Sequence, residues 1–345
     1  MKILFTAEYD EELLDEIKGL GEVHMTGWAV GAPKIPEDEL CAIVADYDII
    51  ITSYDGITKK VIDAAPSLKL IACTRATPVN VDCQHAKSRG IPVLFTPGRN
   101  SDSAAELTIA LMINCARHIP QAYQALHQGK YCAPEAGTDK ETKKGLREDI
   151  TWGVGKNQPY MVFKGFDLKG KTVGIIGYGS IGKRVAAIAK AFGMNILIAD
   201  PYASEIDVDT VGQRKVNIDT LLCQSDFVSC HVKVTDSTRN MMGAEQFSKM
   251  KASAYFINTS RAAVVDEEAL IQAIQNGQIA GAALDVFNSE PIGCNHPFIK
   301  ELGDRVIVTP HIAGATRDAI TNHTKMILSD IQRFLNGEPL LYEYQ

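Results

Sequence analysis

The chain has 345 residues, of which 46% are hydrophobic, and a formal net charge of −7. This length predicts about two domains, and the acidic balance does not favour nucleic acid or another polyanion as a partner. The N-terminus is too acidic for a signal peptide, and no apolar run approaches the ~20 residues of a membrane span. The eight cysteines are scattered without a Cys-x-x-Cys pair, so we expect reduced thiols, a cytoplasmic protein and no metal site.

Strand-like and helix-like segments alternate through the first hundred residues. The apolar runs are Ile3–Phe5, Asp48–Ile51, Leu68–Cys73 and Pro92–Phe95, with helical patterns at Pro36–Ala45 and Val81–Arg89. This alternation predicts an α/β fold with an open parallel sheet. A long helix is predicted next, over Ser103–Ile119.

The periodic pattern is lost in an excursion at about 128–165, which is rich in Lys, Gly and Pro. Trp152, Tyr160 and Phe163 are interspersed there. Structureless loops of this length are uncommon in compact domains. Two interpretations are open: a surface excursion, or an ordered arm that covers a partner subunit and buries its aromatic side chains.

A glycine pattern follows the apolar run Val173–Ile176, which itself predicts a buried strand. Its glycines are Gly177, Gly179 and Gly182, and the helical pattern Ile181–Phe192 comes next. In dinucleotide-binding proteins the first glycine permits a tight turn and the second lets the backbone approach a pyrophosphate. The third lets the helix pack close to the strand.

A second predicted strand, Ile196–Ala199, ends at Asp200. The Asp200 carboxylate could bind both ribose hydroxyls of NAD and would repel the 2′-phosphate of NADP. Amides near Ser180 and Ile181, at the helix N-terminus, would face the phosphates. A glycine-rich turn in another α/β protein is the alternative, but strand, helix and acid together favour an NAD-binding βαβ unit.

Polar residues follow the later predicted strands. These strands are Asp226–His231, Ala254–Asn258, Gly281–Val286 and Val306–Thr309. The polar residues at their ends are His231, Thr259, Ser260, Arg261, Asp285 and His311. Because ligands of doubly wound sheets bind outside the carboxyl ends of the strands, we expect these side chains to converge, although any one could instead cap a helix.

Three side chains near this edge suggest chemistry. Arg261 offers a permanently charged fork that suits a carboxylate. Glu290 could orient the His311 imidazole and favour its protonated form. A protonated imidazole suits a general acid that delivers a proton while NADH delivers hydride. Taken singly, the histidine could be a structural loop residue and the glutamate a solvated surface acid.

Together these motifs resemble the D-isomer-specific 2-hydroxyacid dehydrogenases, especially their phosphoglycerate dehydrogenase-like branch. The resemblance spans nearly the whole chain and is densest in the glycine pattern and in Asn100–Thr108, Asn258–Asp266, Gly281–Phe287, Glu290-Pro291 and Pro310–Thr316. It implies two doubly wound parallel-sheet domains with a cleft between them: a flavodoxin-like substrate domain (1–102 and 318–345) and an inserted Rossmann NAD-binding domain (103–317). It also implies a homodimer formed largely through the NAD-binding domains.

The resemblance implies a role for each site residue. Arg261, Glu290 and His311 would be catalytic, and Arg261 would also bind the substrate carboxylate and keto group. The cofactor-binding residues would be Gly177, Gly179, Ser180, Ile181, Gly182, Asp200, Val232, Thr259, Ser260, Arg261, Asp285, His311, Ala313 and Gly314. Of these, Asp285 would take the carboxamide of the nicotinamide ring.

Two further cations are expected at the edge of the first sheet. Arg75 follows the strand Leu68–Cys73, and Arg99 follows the strand that ends near Phe95. With Thr77, they could bind a second anionic or strongly polar group of the substrate. Alternatively, the arginines make surface or interdomain ion pairs.

We therefore expect NAD-dependent interconversion of a small D-2-hydroxy acid and its 2-keto acid, without specifying which acid. An NAD-sensing corepressor on the same fold is the alternative. A formate dehydrogenase is disfavoured because that chemistry needs no acid/base and usually carries Gln where Glu290 stands. The chain should return to the first domain through Asp318–Leu335, and with only about thirty residues after His311 we expect no C-terminal regulatory domain.

Overall fold

The computed structural model describes residues 1–132, 156–210 and 212–345. The chain divides into two compact units, which we call the first unit (1–103 with 314–345) and the second unit (104–313). Each unit contains its own parallel sheet, so the α/β class predicted from the alternating pattern is confirmed.

The first unit contains five parallel strands. They are β1 (Lys2–Phe5), β2 (Glu22–Met25), β3 (Ile49–Thr52), β4 (Leu70–Cys73) and β5 (Val93–Leu94). Its first helices are α1 (Leu14–Gly19), α2 (Glu37–Ile43), α3 (Lys59–Asp63) and α4 (Cys83–Ser88). The order β2-β1-β3-β4-β5 is that of flavodoxin-like folds. The strand β2 was not predicted because it is an edge strand without fully buried side chains.

The described part of the second unit contains seven parallel strands. They are β6 (Thr172–Ile176), β7 (Asn195–Ala199), β8 (Arg214–Lys215), β9 (Phe227–Cys230), β10 (Tyr255–Asn258), β11 (Gly281–Leu284) and β12 (Val306–Val308). The order β8-β7-β6-β9-β10-β11-β12 is a Rossmann order with one added strand. The strand order reverses between β6 and β9, and dinucleotides bind at this kind of switch point.

Helices accompany these strands in chain order. They are α5 (Ser101–Arg117), α6 (Ile119–His127), α7 (Pro159–Val162), α8 (Ser180–Ala191), α9 (Glu205–Thr210), α10 (Ile218–Gln224), α11 (Ala244–Lys249), α12 (Glu267–Gln275) and α13 (Pro297–Lys300). The last helix, α14 (Arg317–Asn336), belongs to the first unit, where Ile327 and Ile331 are buried against the sheet. A membrane-spanning helix of about 20 apolar residues does not occur in the described part of the chain.

The boundary between the units falls after Ala313, four residues earlier than the sequence suggested. The reason is local packing within the first unit. A Cβ on Gly314 would lie only 2.1 Å from Nδ2 of Asn100, so a larger residue there would have to displace the Asn100 side chain. The hydroxyl oxygens of Thr316 and Ser103 are 2.7 Å apart. Gly314, predicted with the cofactor-binding residues, therefore packs with the first unit.

The predicted arm lies mostly outside the described residues, because residues 133–155 are not described. Its flanks belong to the second unit. One of them contains the one-turn helix α7, which the irregular pattern did not predict. The flanks contact each other through the rings of Tyr131 and Phe163, whose centroids are 5.7 Å apart.

Candidate active site

The turn after β6 has the shape that its glycines predict. Gly177 has φ +94°, and a Cβ there would lie 2.8 Å from the carbonyl oxygen of His231 and 2.9 Å from Cγ1 of Val232. A Cβ on Gly182 would lie 2.1 Å from the Gly177 carbonyl oxygen. At Gly179, by contrast, no protein atom lies within 4 Å of the Cβ position. The turn is therefore closed against the protein on two sides and open at its middle glycine, as a phosphate group requires.

Asp200 is half-buried at the end of β7 and holds this turn in place. Its Oδ2 accepts a hydrogen bond of 2.7 Å from the Tyr178 amide, and its Oδ1 accepts one of 2.7 Å from the Tyr202 amide. A carboxylate can accept about four hydrogen bonds, so acceptor capacity remains for ribose hydroxyls. Ser180 is exposed at the start of α8 and Ile181 is half-buried beside it. The sequence pattern did not reveal the structural role of the aspartate.

The loop after β10 is organised by Asn258, which sequence reasoning did not select. Its buried Oδ1 accepts hydrogen bonds from the amide of Ser260 at 3.0 Å and from its hydroxyl at 2.8 Å. Its Nδ2 donates to the carbonyl oxygen of Arg261 at 2.9 Å. The arginine side chain is exposed, and its Nη1 donates to the carbonyl oxygen of Ser260 at 2.7 Å. The serine hydroxyl is thus used inside the loop, while the guanidinium is presented to solvent.

Thr259, between these residues, points back into the second unit. Its Oγ1 lies 2.8 Å from Oγ1 of Thr108 on α5. Because Thr108 donates its only hydroxyl proton to the carbonyl oxygen of Ala104 at 2.7 Å, Thr259 must be the donor between the two. Thr108 lies in one of the motifs that carry the family resemblance, but its contact with residue 259 was not foreseen.

Asp285 at the end of β11 is fully buried. Its Oδ1 accepts from the Thr309 hydroxyl at 2.6 Å and from the Ile312 amide at 2.9 Å, and its Oδ2 accepts from the Ala313 amide at 2.8 Å. These hydrogen bonds fix the turn after β12 that carries His311. Within this turn the backbone of His311 has φ +55°. The carboxylate thus orients the loop of the histidine, and its role toward a nicotinamide carboxamide stays a prediction.

His311 and Glu290 form a hydrogen-bonded pair, with Nδ1 of the histidine 2.7 Å from Oε2 of the glutamate. The glutamate Oε1 accepts from the Phe287 amide at 3.1 Å. Burial by itself would raise the pKa of Glu290, but the hydrogen bonds from His311 and Phe287, with the charges of His311 and Arg261, lower it below its ordinary value. The pair is solvent-accessible, since 46% of the histidine side chain is exposed. Because Glu290 engages Nδ1, Nε2 is the ring nitrogen available to a substrate.

Arg75, Thr77 and Arg99 belong to the first unit. Arg75 Cζ lies 5.2 Å from the ring centroid of Tyr54, and Thr77 is exposed in the loop after β4. Nη1 of Arg99 lies 3.4 Å from Nδ1 of His323. Neither Arg75 nor Arg99 makes an ion pair with a carboxylate of the described residues, which was the expected alternative for these arginines.

The fold and the glycine turn define a Rossmann-type dinucleotide-binding protein. Residues 109–313 match the family model described as "D-isomer specific 2-hydroxyacid dehydrogenase, NAD binding domain". The chain therefore belongs to the D-isomer-specific 2-hydroxyacid dehydrogenase family, and the cofactor that this domain indicates is NAD(H). The family resemblance and the cofactor inferred from the sequence motifs are confirmed.

The chain is similar to named dehydrogenases and reductases. It is 37% identical to a D-3-phosphoglycerate dehydrogenase of Archaeoglobus fulgidus over 99% of this chain and 58% of that protein. It is 38% identical to a hydroxypyruvate reductase of Thermotoga maritima over 84% of this chain and 85% of that protein. The solved glyoxylate reductase of Paecilomyes thermophila has a TM-score of 0.75 at 26% identity, over 99% and 98% of the two chains.

The relatives also differ from this chain in length. The chain spans 58% and 55% of the phosphoglycerate dehydrogenases of Archaeoglobus fulgidus and Synechocystis. None of the relatives named above is a corepressor, so these similarities do not favour that alternative.

Proposed function

We propose that the protein is an NAD-dependent oxidoreductase that interconverts a D-2-hydroxy acid and its 2-keto acid. The observation that carries this proposal is the hydrogen bond of 2.7 Å between His311 Nδ1 and Glu290 Oε2. The charge of the Arg261 guanidinium also acts on Glu290 and helps to lower the pKa of its carboxyl group. An acid/base, its orienting carboxylate and a carboxylate-binding cation are what hydride transfer to a 2-keto acid requires of the protein.

In the reductive direction, protonated His311 donates the proton on Nε2 to the keto oxygen. Glu290 accepts the Nδ1 proton in a hydrogen bond, so it stabilises the imidazolium and fixes the direction of Nε2. Arg261 binds the substrate carboxylate and polarises the adjacent carbonyl. Bound NADH supplies the hydride that completes the hydroxy acid. In the oxidative direction, neutral His311 takes the hydroxyl proton.

We assign NAD binding to the second unit, which also supplies Arg261 and His311, and the remaining substrate contacts to the first unit. The open position at Gly179 supports an approach of the pyrophosphate to the turn between Gly177 and Gly182. Amides at Ser180 and Ile181 and the carboxylate of Asp200 would complete the phosphate and ribose contacts. The nicotinamide contacts would come from Val232, Thr259, Ser260, Asp285, Ala313 and Gly314.

We further propose a cytoplasmic homodimer formed through the NAD-binding unit. An exposed apolar stripe on α6 supports the dimer: Ile119, Tyr123 and Leu126 are 47%, 62% and 53% exposed at helical spacing. The cytoplasmic location is supported by the eight cysteines, all of them free thiols.

A screen of 2-keto acids tests the proposed reaction. NADH oxidation should be measured with glyoxylate, pyruvate, hydroxypyruvate, 3-phosphohydroxypyruvate, 2-oxoglutarate and a sugar-derived keto acid. We expect at least one to be reduced. Where the product is chiral, which excludes the glycolate formed from glyoxylate, the D enantiomer of the hydroxy acid, but not the L enantiomer, should reduce NAD. A protein that binds NADH but reduces none of them, or that uses the L enantiomer, would contradict the proposal.

A further inference from the structure

The strand β10 ends at Asn258, a residue that is only 1% exposed. Its carbonyl oxygen accepts a hydrogen bond of 3.0 Å from the amide of Asp285, which follows the neighbouring strand β11. Two adjacent strand ends therefore each carry a buried polar side chain. The carboxylate of Asp285 supports the turn that carries His311, and the side-chain amide of Asn258 supports the loop that carries Arg261.

Asn258, Ser260 and Arg261 form a closed set of hydrogen bonds. Oδ1 of Asn258 accepts from the amide and the hydroxyl of Ser260, and its Nδ2 donates to the carbonyl oxygen of Arg261. The arginine Nη1 then donates to the carbonyl oxygen of Ser260 at 2.7 Å. The Asn258 side chain thus fixes the backbone on both sides of the peptide group to which the guanidinium is bound. A guanidinium has about five N–H donors, so donors remain for a substrate carboxylate.

The rest of this loop is tied to other segments of the second unit. Before the arginine, the hydroxyl of Thr259 donates to that of Thr108 on α5. After the arginine, the carbonyl oxygen of Val264 accepts from the Met242 amide at 3.1 Å. These anchors fix the ends of the loop, and the Asn258 side chain fixes the part between them. The backbone around the guanidinium is therefore held in place before a ligand binds.

The chemistry of an amide suits residue 258. The hydrogen bonds there need a donor and an acceptor on one short side chain, which an amide supplies and an ionised carboxylate does not. A carboxylate would also stand next to the buried Asp285 across the sheet, and like charges at short distance disfavour ionisation. An apolar side chain would leave the Ser260 amide without its acceptor. The residue type at 258 is therefore matched to the loop of Arg261.

We propose that Asn258 is the positioning residue of Arg261, which it fixes in the orientation that binds the substrate carboxylate. The inference rests on the proposed function, to which it adds a residue that does not itself touch the substrate. A free arginine side chain has many rotamers, and their ordering on binding weakens affinity. A guanidinium that is fixed beforehand avoids this loss and meets the carboxylate in one geometry.

Single substitutions test this role through substrate affinity. Asn258→Ala removes three side-chain hydrogen bonds without adding a charge. We expect kcat/KM for the best 2-keto acid to fall about tenfold or more, the effect of one charge-assisted hydrogen bond, with a much smaller change in the Kd of NADH. Oxamate, an isostere of pyruvate, should bind the NADH complex about tenfold more weakly. Asn217→Ala is the matched control, because it removes the cap of α10 in the same unit and should lower Tm without changing kcat/KM.

A double-mutant cycle with Arg261→Ala separates positioning from a general structural role. In the Arg261→Ala background, Asn258→Ala should have little further effect on kcat/KM, because its effect acts through the missing guanidinium. A similar fold loss in both backgrounds, or wild-type kcat/KM and oxamate affinity in Asn258→Ala, overturns the positioning role. If Asn258→Ala does not fold, Asn258→Asp, which keeps an acceptor for Ser260 and loses the donor to Arg261, takes its place in the cycle. A wild type that reduces no keto acid overturns the proposed function instead; oxamate binding then judges the positioning role, and equal affinity or no binding overturns it.

Discussion

Glu290 lies 2.7 Å from His311, and it contacts the ring nitrogen Nδ1 rather than Nε2. The carboxylate thus stabilises the protonated ring while leaving Nε2 to the substrate. In Glu290→Gln a neutral amide replaces the carboxylate, so a positive charge on the ring is less well stabilised and the ring is less firmly oriented. We expect kcat for keto-acid reduction to fall about tenfold or more while NADH binding stays close to that of the wild type.

Glu267→Gln is the matched control for that experiment. Glu267 is 3.4 Å from His296, which makes a second Glu–His pair in the same unit. Its loss should leave kcat for keto-acid reduction unchanged. A wild-type kcat in Glu290→Gln would mean that the glutamate has a structural role only.

Asp285 should affect both stability and rate. Asp285→Ala removes the acceptor of three hydrogen bonds from the turn that carries His311. Each buried donor left unsatisfied costs about 1–3 kcal/mol, so urea unfolding should show a clear decrease in the free energy of unfolding. Because the turn that carries His311 is no longer fixed, kcat should also fall about tenfold or more. Thr309→Val removes one donor and should have a smaller effect on both. Wild-type stability and kcat in Asp285→Ala would refute this role.

Asp200 should set the cofactor preference. We expect at least about a tenfold preference for NADH over NADPH in kcat/KM, since the carboxylate would repel a 2′-phosphate. Asp200→Asn should reduce the preference for NADH over NADPH. Part of this reduction should come from weaker NADH binding, because the hydrogen bond that the Tyr178 amide donates to residue 200 weakens and the turn becomes less firmly held. Asp236→Asn, an exposed acid of the same unit, should leave the preference intact. Equal use of both cofactors by the wild type would contradict this prediction.

His323 should make the fold sensitive to acid. Burial lowers its pKa from 6.5 to about 4, helped by the charge of Arg99 and opposed by the hydrogen bond to Glu8. Below pH 6.5, His323 of the unfolded chain binds a proton but His323 of the folded chain stays neutral. The free energy of unfolding therefore falls with decreasing pH until the folded-state pKa of about 4 is reached. The loss is about 3 kcal/mol at most.

Urea unfolding at a series of pH values checks this effect. His323→Gln should reduce the slope between the two pKa values. It should not abolish the slope, because burial also lowers the pKa of His231 to about 4. A slope that is identical in the variant and the wild type would show that His323 does not titrate in this way.

Much of the site could be predicted from local sequence. The glycine spacing before α8 and the acid after β7 belong to one βαβ unit, so they can be recognised in a short stretch of sequence. Arg261, Asp285 and His311 were selected because each follows an apolar run, and parallel strands bring their carboxyl ends to one edge. Most strand positions could also be predicted, because the buried strands of a parallel sheet are short runs of apolar residues.

Other features depend on contacts between distant parts of the chain. The hydroxyl groups of Thr108 and Thr259 contact each other although the residues are 151 positions apart in sequence. Gly314 lies close to the side chain of Asn100, and no local sequence pattern predicts this contact. Asn258 looked like the end of a strand, although its side chain organises the loop that presents Arg261. The edge strands β2 and β8 were missed because they lack a buried apolar run.

The most direct test of the proposed reaction is the turnover of His311→Ala with NADH and the best 2-keto acid. NADH binding, followed by fluorescence, should be close to that of the wild type and shows that the variant is folded. Loss of a general acid predicts a fall in kcat of roughly a hundredfold or more. A kcat within about threefold of the wild-type value would contradict the assignment of His311 as the acid/base.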